Sequence, residues 1–277
     1  MRIIQAEKIT SMVAALCIEA AHNLPPNQIK LLKRAASSEK GLPANLLKLI
    51  LKNAETARKD LYPLCQDTGT AVVFLEIGQN IFIDGDVNKA VDAGVRKGFK
   101  EGYLRKSIVA CPLFKRENTK DNTPAVLHIS FVKGDKIKVK VLLKGGGAEN
   151  TSRLKMFAPS DGKKEISDFI VQTVKEAGAK ACPPLTLGVG IGGDFEQCSF
   201  LAKKALTRKS KNRNKLYAAF EEELLSGVNA LKIGPQGLGG KITALAVYIE
   251  TAPCHMASLP VAVNVCCHSH RFKEGEI

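Results

Sequence analysis

Apolar residues near the N-terminus of the chain recur with the period of an amphipathic helix. They return every three to four positions in three successive stretches. Prolines separate the first two stretches, and Pro63 prevents the third helix from continuing. The pattern therefore predicts three helices that lead into a loop at residues 61–70. The predicted helices cover residues 6–22, 27–40 and 44–60.

Later stretches alternate between strand-like and helix-like patterns. Two alternating strands, 125–132 and 136–144, are joined by the short turn KGD and predict a β-hairpin. A buried strand at 185–193 runs into Asp194, which is a good N-cap for the helix that follows. Further strands are predicted at 70–78 and 242–250, and further helices at 87–103, 163–177, 195–206 and 216–225.

Together these elements predict a mixed α/β or α+β fold. An N-terminal helical section precedes mixed sheets, and the connections between strands are irregular and rich in glycine. No internal repeat is present. We expect the elements of residues 1–277 to divide into two subdomains near residue 150.

The charge of the chain restricts its partners. The formal net charge is +14 and the pI is about 9.4, which brings nucleic acid into consideration. The basic residues are dispersed, however, and the run at 207–215 falls between two helical patterns, as a solvated linker does. Tryptophan is absent and aromatic residues make up only 5% of the chain. An anionic small substrate or an acidic partner subunit is therefore a better prediction than nucleic acid.

The N-terminal residues lack the order of a signal peptide, and no apolar run is long enough for a membrane span. We therefore expect a cytoplasmic protein whose eight cysteines are reduced. Cys17 and Cys198 lie within helical periods and are expected in the core. No CxxC pair occurs, so any metal or cluster site would be assembled from distant loops.

Three cysteine positions lie on loops that are rich in turn-forming residues. They are Cys65 before QDTG, Cys182 before two prolines, and the pair Cys266 and Cys267 after a strand. Three thiolates from remote loops can hold a four-iron cluster and leave one iron open to act as a Lewis acid. A buried thiol beside a turn aspartate is also common in proteins without a cluster, so the residues alone leave both interpretations open.

The glycine-rich segment 188–193 fits the pattern GxGxxG between a strand and a helix. No acidic residue follows about twenty residues later to complete a dinucleotide-binding unit. A turn that binds an anion through backbone N–H groups remains an alternative. The KGGG segment at 144–147 lacks the spacing of a phosphate-binding P-loop.

Five motifs together resemble one known family, the iron–sulfur hydro-lyases, which comprise class I fumarases and L(+)-tartrate dehydratases. The resemblance runs from about residue 61 to residue 271 and is to the N-terminal catalytic region of that family. The matching motifs are CQDTG at 65–69, KGGGAEN at 144–150, ACPP at 181–184 with the following GVGIGG, GPQGLGGK at 234–241, and CHMASLPVAVNVCCHSHR at 254–271.

The resemblance implies a [4Fe-4S] cluster with one open iron, ligated by Cys65, Cys182 and Cys267. The third position is assigned because the family's cysteine stands four positions before an arginine, here Arg271. Cys266 is adjacent, so which member of the doublet binds iron stays open. The resemblance also implies catalytic roles for Asp67 and His255 and substrate binding by Gln66, Arg105, Gly146 and Gly147.

Without the resemblance, Asp67 would be interpreted as a turn residue, Arg105 as a surface charge and His255 as a structural histidine. With it, Asp67 and His255 are expected to move the proton on the hydroxyl side of a dicarboxylate, and Arg105 to bind one carboxylate.

Single-chain members of the family continue into a second, swivelling domain. The resemblance of this chain is therefore to the alpha subunit of a two-chain enzyme, with a beta subunit that carries the second domain, in an assembly such as α2β2. The expected reaction is the hydration of fumarate to malate, and dehydration of L(+)-tartrate is the alternative. A different class, a non-catalytic metal-binding or nucleic-acid-binding protein, is the remaining hypothesis.

Overall fold

The computed structural model describes residues 1–277 and confirms a mixed α and β fold. Most predicted helices and strands are present, with ends that differ by a few residues. The helices are α1 (Ala6–His22), α2 (Pro26–Ser38), α3 (Gly41–Asp60), α4 (Val87–Glu101), α5 (Gly146–Glu149), α6 (Gly162–Ala177), α7 (Phe195–Ala205) and α8 (Lys215–Ala230). The strands are β1 (Arg2–Gln5), β2 (Thr70–Gly78), β3 (Ile81–Asp84), β4 (Val126–Val132), β5 (Ile137–Lys144), β6 (Arg153–Phe157), β7 (Leu185–Gly192), β8 (Ala244–Ala252), β9 (Leu259–Cys266) and β10 (Arg271–Glu276).

The chain divides into two compact units. The first unit contains Met1–Pro25, Asn53–Gly146 and Ser269–Ile277, and the second contains Pro26–Lys52 and Gly147–His268. Each unit has its own hydrophobic core. None of the helices combines the length and the apolar character that a membrane span requires.

The first unit is built on a four-stranded sheet in the order β10, β5, β2, β4. The inner strands β2 and β5 are largely apolar, and α1 and α4 contribute the helical part of the core that packs with them. Two short strands, β1 and β3, form a separate parallel pair. The sequence analysis missed this pair, because four-residue strands leave too short an alternation to recognise.

The predicted hairpin of 125–132 and 136–144 is wrong. Strand β2 lies between the two strands, parallel to β4 and antiparallel to β5. The backbone N–H groups of Gly78, the last residue of β2, and of Asn80 donate to the carbonyl oxygens of Lys136, the first residue of the second predicted strand, and of Gly134 in the predicted turn. Seven of the nine residues of β2 are buried, so this strand takes the central place, which is buried on both faces.

The second unit is built on a four-stranded sheet in the order β6, β9, β7, β8. Strand β7 is buried along its whole length. The side chains of Leu187 and Val189 join the core that α6 and α8 cover, while the alternate positions of β7 face α7. Asp194 caps α7 as predicted, because its carboxylate accepts the N–H of Gln197 at 2.7 Å.

The glycines of the segment 188–193 allow α7 to approach the sheet closely. A Cβ on Gly188 would lie 2.1 Å from the carbonyl oxygen of Ala202, and a Cβ on Gly190 would lie 2.1 Å from that of Cys198. No side chain fits in either place. The GxGxxG pattern therefore has a packing function at these two positions, and it explains a close contact between helix and strand rather than a dinucleotide site.

Cys17 and Cys198 lie in the core, as predicted. Both thiols are fully buried. Burial raises the pKa of Cys17 to about 12 and the pKa of Cys198 to about 11. The Cys198 thiol also donates to the Gly190 carbonyl oxygen at 3.3 Å. These two thiols stay protonated and are poor ligands for a metal.

His22, at the end of α1, is expected to make the stability of the protein depend on pH. Burial lowers the pKa of its side chain from the usual 6.5, so the unfolded chain takes up the proton more readily than the folded one. The free energy of unfolding should therefore be highest above pH 6.5 and should fall as the pH drops from there toward the lower folded pKa. Urea unfolding at a series of pH values measures this.

The matched variants for this test are His22→Gln and His128→Gln. The first should flatten the decline of stability between neutral and mildly acidic pH, because glutamine does not titrate. His128 is only half-buried and stacks on Phe74 with ring centroids 5.2 Å apart. An identical pH dependence in the wild type and in His22→Gln would show that other groups cause the decline.

Candidate active site

The CQDTG loop lies at one end of the sheet in the first unit. Thr70, which follows the loop, pairs with Lys144 at the end of β5. Arg271, the first residue of β10, pairs with Leu143 on the other side of β5. The CQDTG loop, the start of the KGGG segment and Arg271 therefore meet at the same edge of this sheet.

Hydrogen bonds fix the backbone of the CQDTG loop. The Thr68 hydroxyl donates to the carbonyl oxygen of Arg105 at 2.9 Å. Asn122 donates from Nδ2 to the Gly69 carbonyl oxygen at 3.2 Å, and its Oδ1 accepts the N–H of Ser107 at 2.7 Å. The loop is thus tied to the segment that carries Arg105. The structure brings together three residues that the sequence placed in the substrate pocket: Gln66, Asp67 and Arg105.

Asn122 was missed by the sequence analysis. It is completely buried and its backbone has a φ of 64°, a conformation that asparagine tolerates better than most residues. Its amide joins two loops that are far apart in sequence. Only an asparagine before Thr-Pro in a polar tract could have suggested it, and such a tract is typical of ordinary surface loops.

The functional side chains of this unit differ in exposure. Gln66 and Arg105 are exposed, whereas Cys65 and Asp67 are half-buried. Exposed amide and guanidinium groups can bind a polar anionic molecule, and a half-buried carboxylate can exchange a proton with one. Arg105 has its backbone fixed through Thr68, while its long side chain reaches into solvent.

The first glycine of the KGGG segment makes room for Asp67. A Cβ on Gly145 would lie 3.0 Å from Asp67 Oδ2 and 3.3 Å from Arg271 Nη2. Gly146 and Gly147 are instead exposed, and a Cβ on Gly146 would meet no atom within 4 Å. The two residues predicted to bind substrate therefore offer accessible backbone, and Gly145 has a separate packing role.

In the second unit, hydrogen bonds join the loops of Cys182 and His268. Cys182 is exposed and adopts a left-handed backbone conformation with φ 53° and ψ 65°. The backbone N–H of His268 donates to the Cys182 carbonyl oxygen at 3.2 Å, and His268 Nδ1 lies 3.1 Å from the same oxygen. The ACPP motif and the CCHSH motif are therefore neighbours in this unit, which places Cys182 and Cys267 on adjacent loops.

Gln236, from the GPQGLGGK motif, supports the same pair of loops. Its side-chain amide donates to the Pro183 carbonyl oxygen at 3.0 Å and lies 3.1 Å from His268 Nδ1. Its backbone N–H donates to the same Pro183 oxygen at 2.9 Å. The motif is recognisable in the sequence by its glycines, but no pattern in the sequence predicts a role for the Gln236 amide.

The two cysteines of the doublet have different surroundings. Cys266 is the last residue of β9, pairs with Thr186 and is only 2% exposed. Cys267 lies beyond the strand, is half-buried and immediately precedes His268. A half-buried thiol is more accessible to a metal than a buried one, so these surroundings favour Cys267.

His255 lies in an exposed turn of the second unit, and Asp67 belongs to the first. The Ala257 N–H donates to His255 Nδ1 at 3.1 Å, which makes Nδ1 an acceptor. In the neutral ring the proton is then on Nε2, which can donate a hydrogen bond. The pairing of His255 with Asp67 remains a prediction.

The accessible thiols provide ligands of the kind that an iron–sulfur cluster needs. Cys65 and Cys267 are half-buried and Cys182 is exposed, in contrast to Cys17 and Cys198. Thiolates are the ligands that iron–sulfur clusters require. Neither unit gathers three histidine, cysteine or acidic side chains of its own around a metal position. The predicted ligand set takes Cys65 from the first unit and the other two cysteines from the second.

Comparison with known proteins supports the assignment of the motifs. The family model of fumarate hydratase (Fumerase) matches residues 10–276. A protein of Methanocaldococcus jannaschii with the provisional name L(+)-tartrate dehydratase subunit alpha is 42% identical over 275 residues, which are 95% of each chain. Proteins named L(+)-tartrate dehydratase subunit alpha from Escherichia coli K12 and Shigella boydii are each 30% identical over 271 residues, 95% of this chain and 89% of theirs.

These matches cover nearly the whole chain, including the segments that carry all five motifs. The family model includes both units, from α1 to β10. The chain therefore belongs to the fumarate hydratase (Fumerase) family and is a hydro-lyase.

Proposed function

We propose that the chain is the alpha subunit of a [4Fe-4S]-dependent hydro-lyase that reversibly hydrates fumarate to malate. The observation that carries the proposal is the arrangement of Gln66, Asp67 and Arg105. These three side chains lie on two loops that Thr68 and Asn122 join by hydrogen bonds. An amide, a carboxylate and a guanidinium on two joined loops suit a small dicarboxylate whose hydroxyl group gains or loses a proton.

Cys65, Cys182 and Cys267 would hold the cluster. Cys266 is excluded from the proposed set because it is buried at the end of β9. A cluster with three protein ligands supplies a Lewis acid at its open iron for the substrate hydroxyl. The side chains of the two subunits would bind the carboxylates of the substrate and transfer its protons.

Arg105 would bind one carboxylate of the substrate, bidentately where the geometry allows, and Gln66 would donate to it. The exposed backbone N–H groups of Gly146 and Gly147 would line the pocket. Asp67 would move the proton of the hydroxyl group, with His255 as the partner that donates a hydrogen bond from Nε2.

A beta subunit would complete the enzyme. The relatives described above are named as alpha subunits, a name that implies a second chain. We place the swivelling domain and the base that takes the proton next to the carboxylate on that partner, in an assembly such as α2β2. Eight free thiols suit a reducing compartment, and the proposal places the enzyme in the cytoplasm.

Dehydration of L(+)-tartrate is the second candidate reaction. It is favoured by the names of the relatives, which are tartrate dehydratase subunits. Tartrate carries one more hydroxyl group than malate, and the residues of this chain do not select between them. The surroundings of the second carboxylate belong to the partner in this proposal.

The isolated chain should be almost inactive, and co-expression with its partner subunit should restore activity. The measurement is an anaerobic assay after cluster reconstitution, on fumarate, malate and L(+)-tartrate, with the chain alone and with the pair. The compound for which the two-chain enzyme has the highest kcat/KM is identified as the substrate. Strong fumarate hydration by the chain alone would contradict the role given to the partner.

The same preparation separates the hydro-lyase from the non-catalytic alternative. A hydro-lyase should gain iron and sulfide during reconstitution. RNA or DNA binding that weakens steeply with salt, without any cluster, would instead support a nucleic-acid-binding role for the +14 chain.

A further inference from the structure

Arg271 is a buried cation with unused hydrogen-bond donors. Its side chain is only 1% exposed and is among the largest fully buried side chains of the protein. Its Nε and Nη1 atoms are buried and have no hydrogen-bond partner. A guanidinium stays protonated in proteins, and burial of a charge without an anion is strongly unfavourable. A residue in this state needs an anion close by.

Arg208, in the second unit, shows what a structural arginine looks like in the same protein. Its Nη1 donates to the Ile249 carbonyl oxygen at 2.8 Å and its Nε donates to that of Ser210 at 3.1 Å. Its guanidinium also forms ion pairs with Glu221 and Glu250. Every side of that guanidinium is used in holding loops together, which is not the case for Arg271.

The carboxylate that shares the surroundings of Arg271 is Asp67. Asp67 Oδ2 and Arg271 Nη2 lie 3.0 Å and 3.3 Å from one point, the position of a Cβ on Gly145. The absence of a side chain at Gly145 therefore lets the Asp67 carboxylate and the Arg271 guanidinium both lie against the same face of this glycine. Lys144 is also buried next to this glycine, but outside the two residues that flank Gly145 in the chain, Arg271 is the only cation among the three nearest atoms to that point.

We propose that Arg271 is a positioning residue for Asp67. Its buried charge holds the Asp67 carboxylate against the face of Gly145, in the orientation needed for proton transfer with the substrate hydroxyl. Arg271 is too deeply buried to contact substrate directly, so it acts through Asp67. This inference rests on the proposed function of Asp67 and assigns the first glycine of the KGGG segment a role in catalysis.

A double-mutant cycle in the complete two-subunit enzyme tests the proposal. The variants are Arg271→Met, Asp67→Asn and the two combined, with Lys273→Met as the control. Lys273 lies on the same strand and forms an ion pair with Glu19 at 2.6 Å, so its removal also deletes a cation from β10. Displacement of a catalytic group by about 1 Å can cost on the order of 100-fold in rate.

Arg271→Met should lower kcat about 10- to 100-fold and leave KM within about twofold of the wild-type value. In the Asp67→Asn background the same substitution should have no further effect on kcat, because residues that act through one another are not additive. Arg271→Lys should recover part of kcat, and Lys273→Met should match the wild type. Iron content and thermal unfolding of each variant show whether the fold and the cluster are retained.

Gly145→Ala provides a second variant in case Arg271→Met does not fold. The added methyl group pushes on both Asp67 and Arg271 and removes neither charge. It should lower kcat in the wild type and leave the Asp67→Asn variant unchanged.

Three outcomes overturn the inference: additive losses of kcat, a rise of KM at constant kcat, or unchanged kcat in Gly145→Ala. A separate outcome concerns the proposed function itself. Full activity of Asp67→Asn alone would remove the catalytic role of Asp67, whatever Arg271→Met does, and this distinguishes the two failures.

Discussion

Replacement of Cys182 by serine is expected to abolish both the visible absorbance of the proposed iron–sulfur cluster and the hydro-lyase activity. Serine has nearly the same size as cysteine but is a hard oxygen ligand, and iron–sulfur clusters depend on soft thiolates. Cys182 is exposed, and its backbone is held through its carbonyl oxygen by His268. The fold should therefore survive the substitution, so a loss of cluster can be attributed to the missing ligand.

Cys65→Ser and Cys267→Ser should have the same effect, since two remaining thiolates are too few for a stable cluster with an open iron. Iron and sulfide content per chain and the visible spectrum after anaerobic reconstitution measure the loss. Retention of the full cluster in any of the three variants would remove that cysteine from the ligand set.

Two further cysteines serve as controls. Cys111 is half-buried in a loop, and the N–H groups of Lys115 and Phe114 lower the pKa of its thiol, so it is the most reactive alternative ligand. Cys111→Ser should retain the cluster. Cys198→Ala should also retain it, with a lower melting temperature from the loss of buried volume.

The doublet provides the sharpest comparison. Cys266→Ser changes a buried residue at the end of β9 and should reduce stability while the cluster remains. Cys267→Ser changes its half-buried neighbour and should remove the cluster. The opposite result would assign the third ligand to Cys266 and would require β9 to end one residue earlier when the cluster is bound.

The helices of this protein could largely be predicted from its sequence because they carry a strong period. Four of its ten strands, β1, β3, β6 and β10, were not predicted, and β9 was predicted only as a strand of unstated length before Cys266. Helix α1 agrees with the expected residues 6–22, and β2 agrees with 70–78. The order of strands in the first sheet was not readable. Strands β4 and β5 are joined by a turn with every local feature of a hairpin, but pairing is decided by which strand is most completely buried, and that is β2.

The residues of the candidate site could be predicted from the sequence only where a motif contains the functional side chain. Asp67 and Cys182 stand in recognisable motifs, whereas Asn122 and Gln236 act through hydrogen bonds to residues that are distant in sequence. In the sequence, Arg271 serves only to assign Cys267, which stands four positions before it. Its burial and its unpaired donors are properties of the three-dimensional arrangement, which no local pattern records.

Asp67→Asn should lower kcat of the complete enzyme by about 10²- to 10⁴-fold, the range in which positioned acids and bases contribute. Asparagine has the shape of aspartate, so it can occupy the space beside Gly145 without displacing the loop. It cannot exchange the proton of the substrate hydroxyl at neutral pH. The variant should therefore bind its cluster and its substrate and fail in the chemical step.

The measurement is kcat and KM for the favoured substrate, together with cluster content, in Asp67→Asn and in the control Asp60→Asn. Asp60 ends α3 and is exposed, so its replacement removes the same charge from the segment that precedes the loop. A tenfold or larger rise of KM at wild-type kcat would show that Asp67 binds substrate and does not transfer the proton. Loss of kcat at constant KM, with the cluster retained, is the result that identifies Asp67 as the proton-transfer group, because both variants lose one negative charge and only one of them faces the substrate.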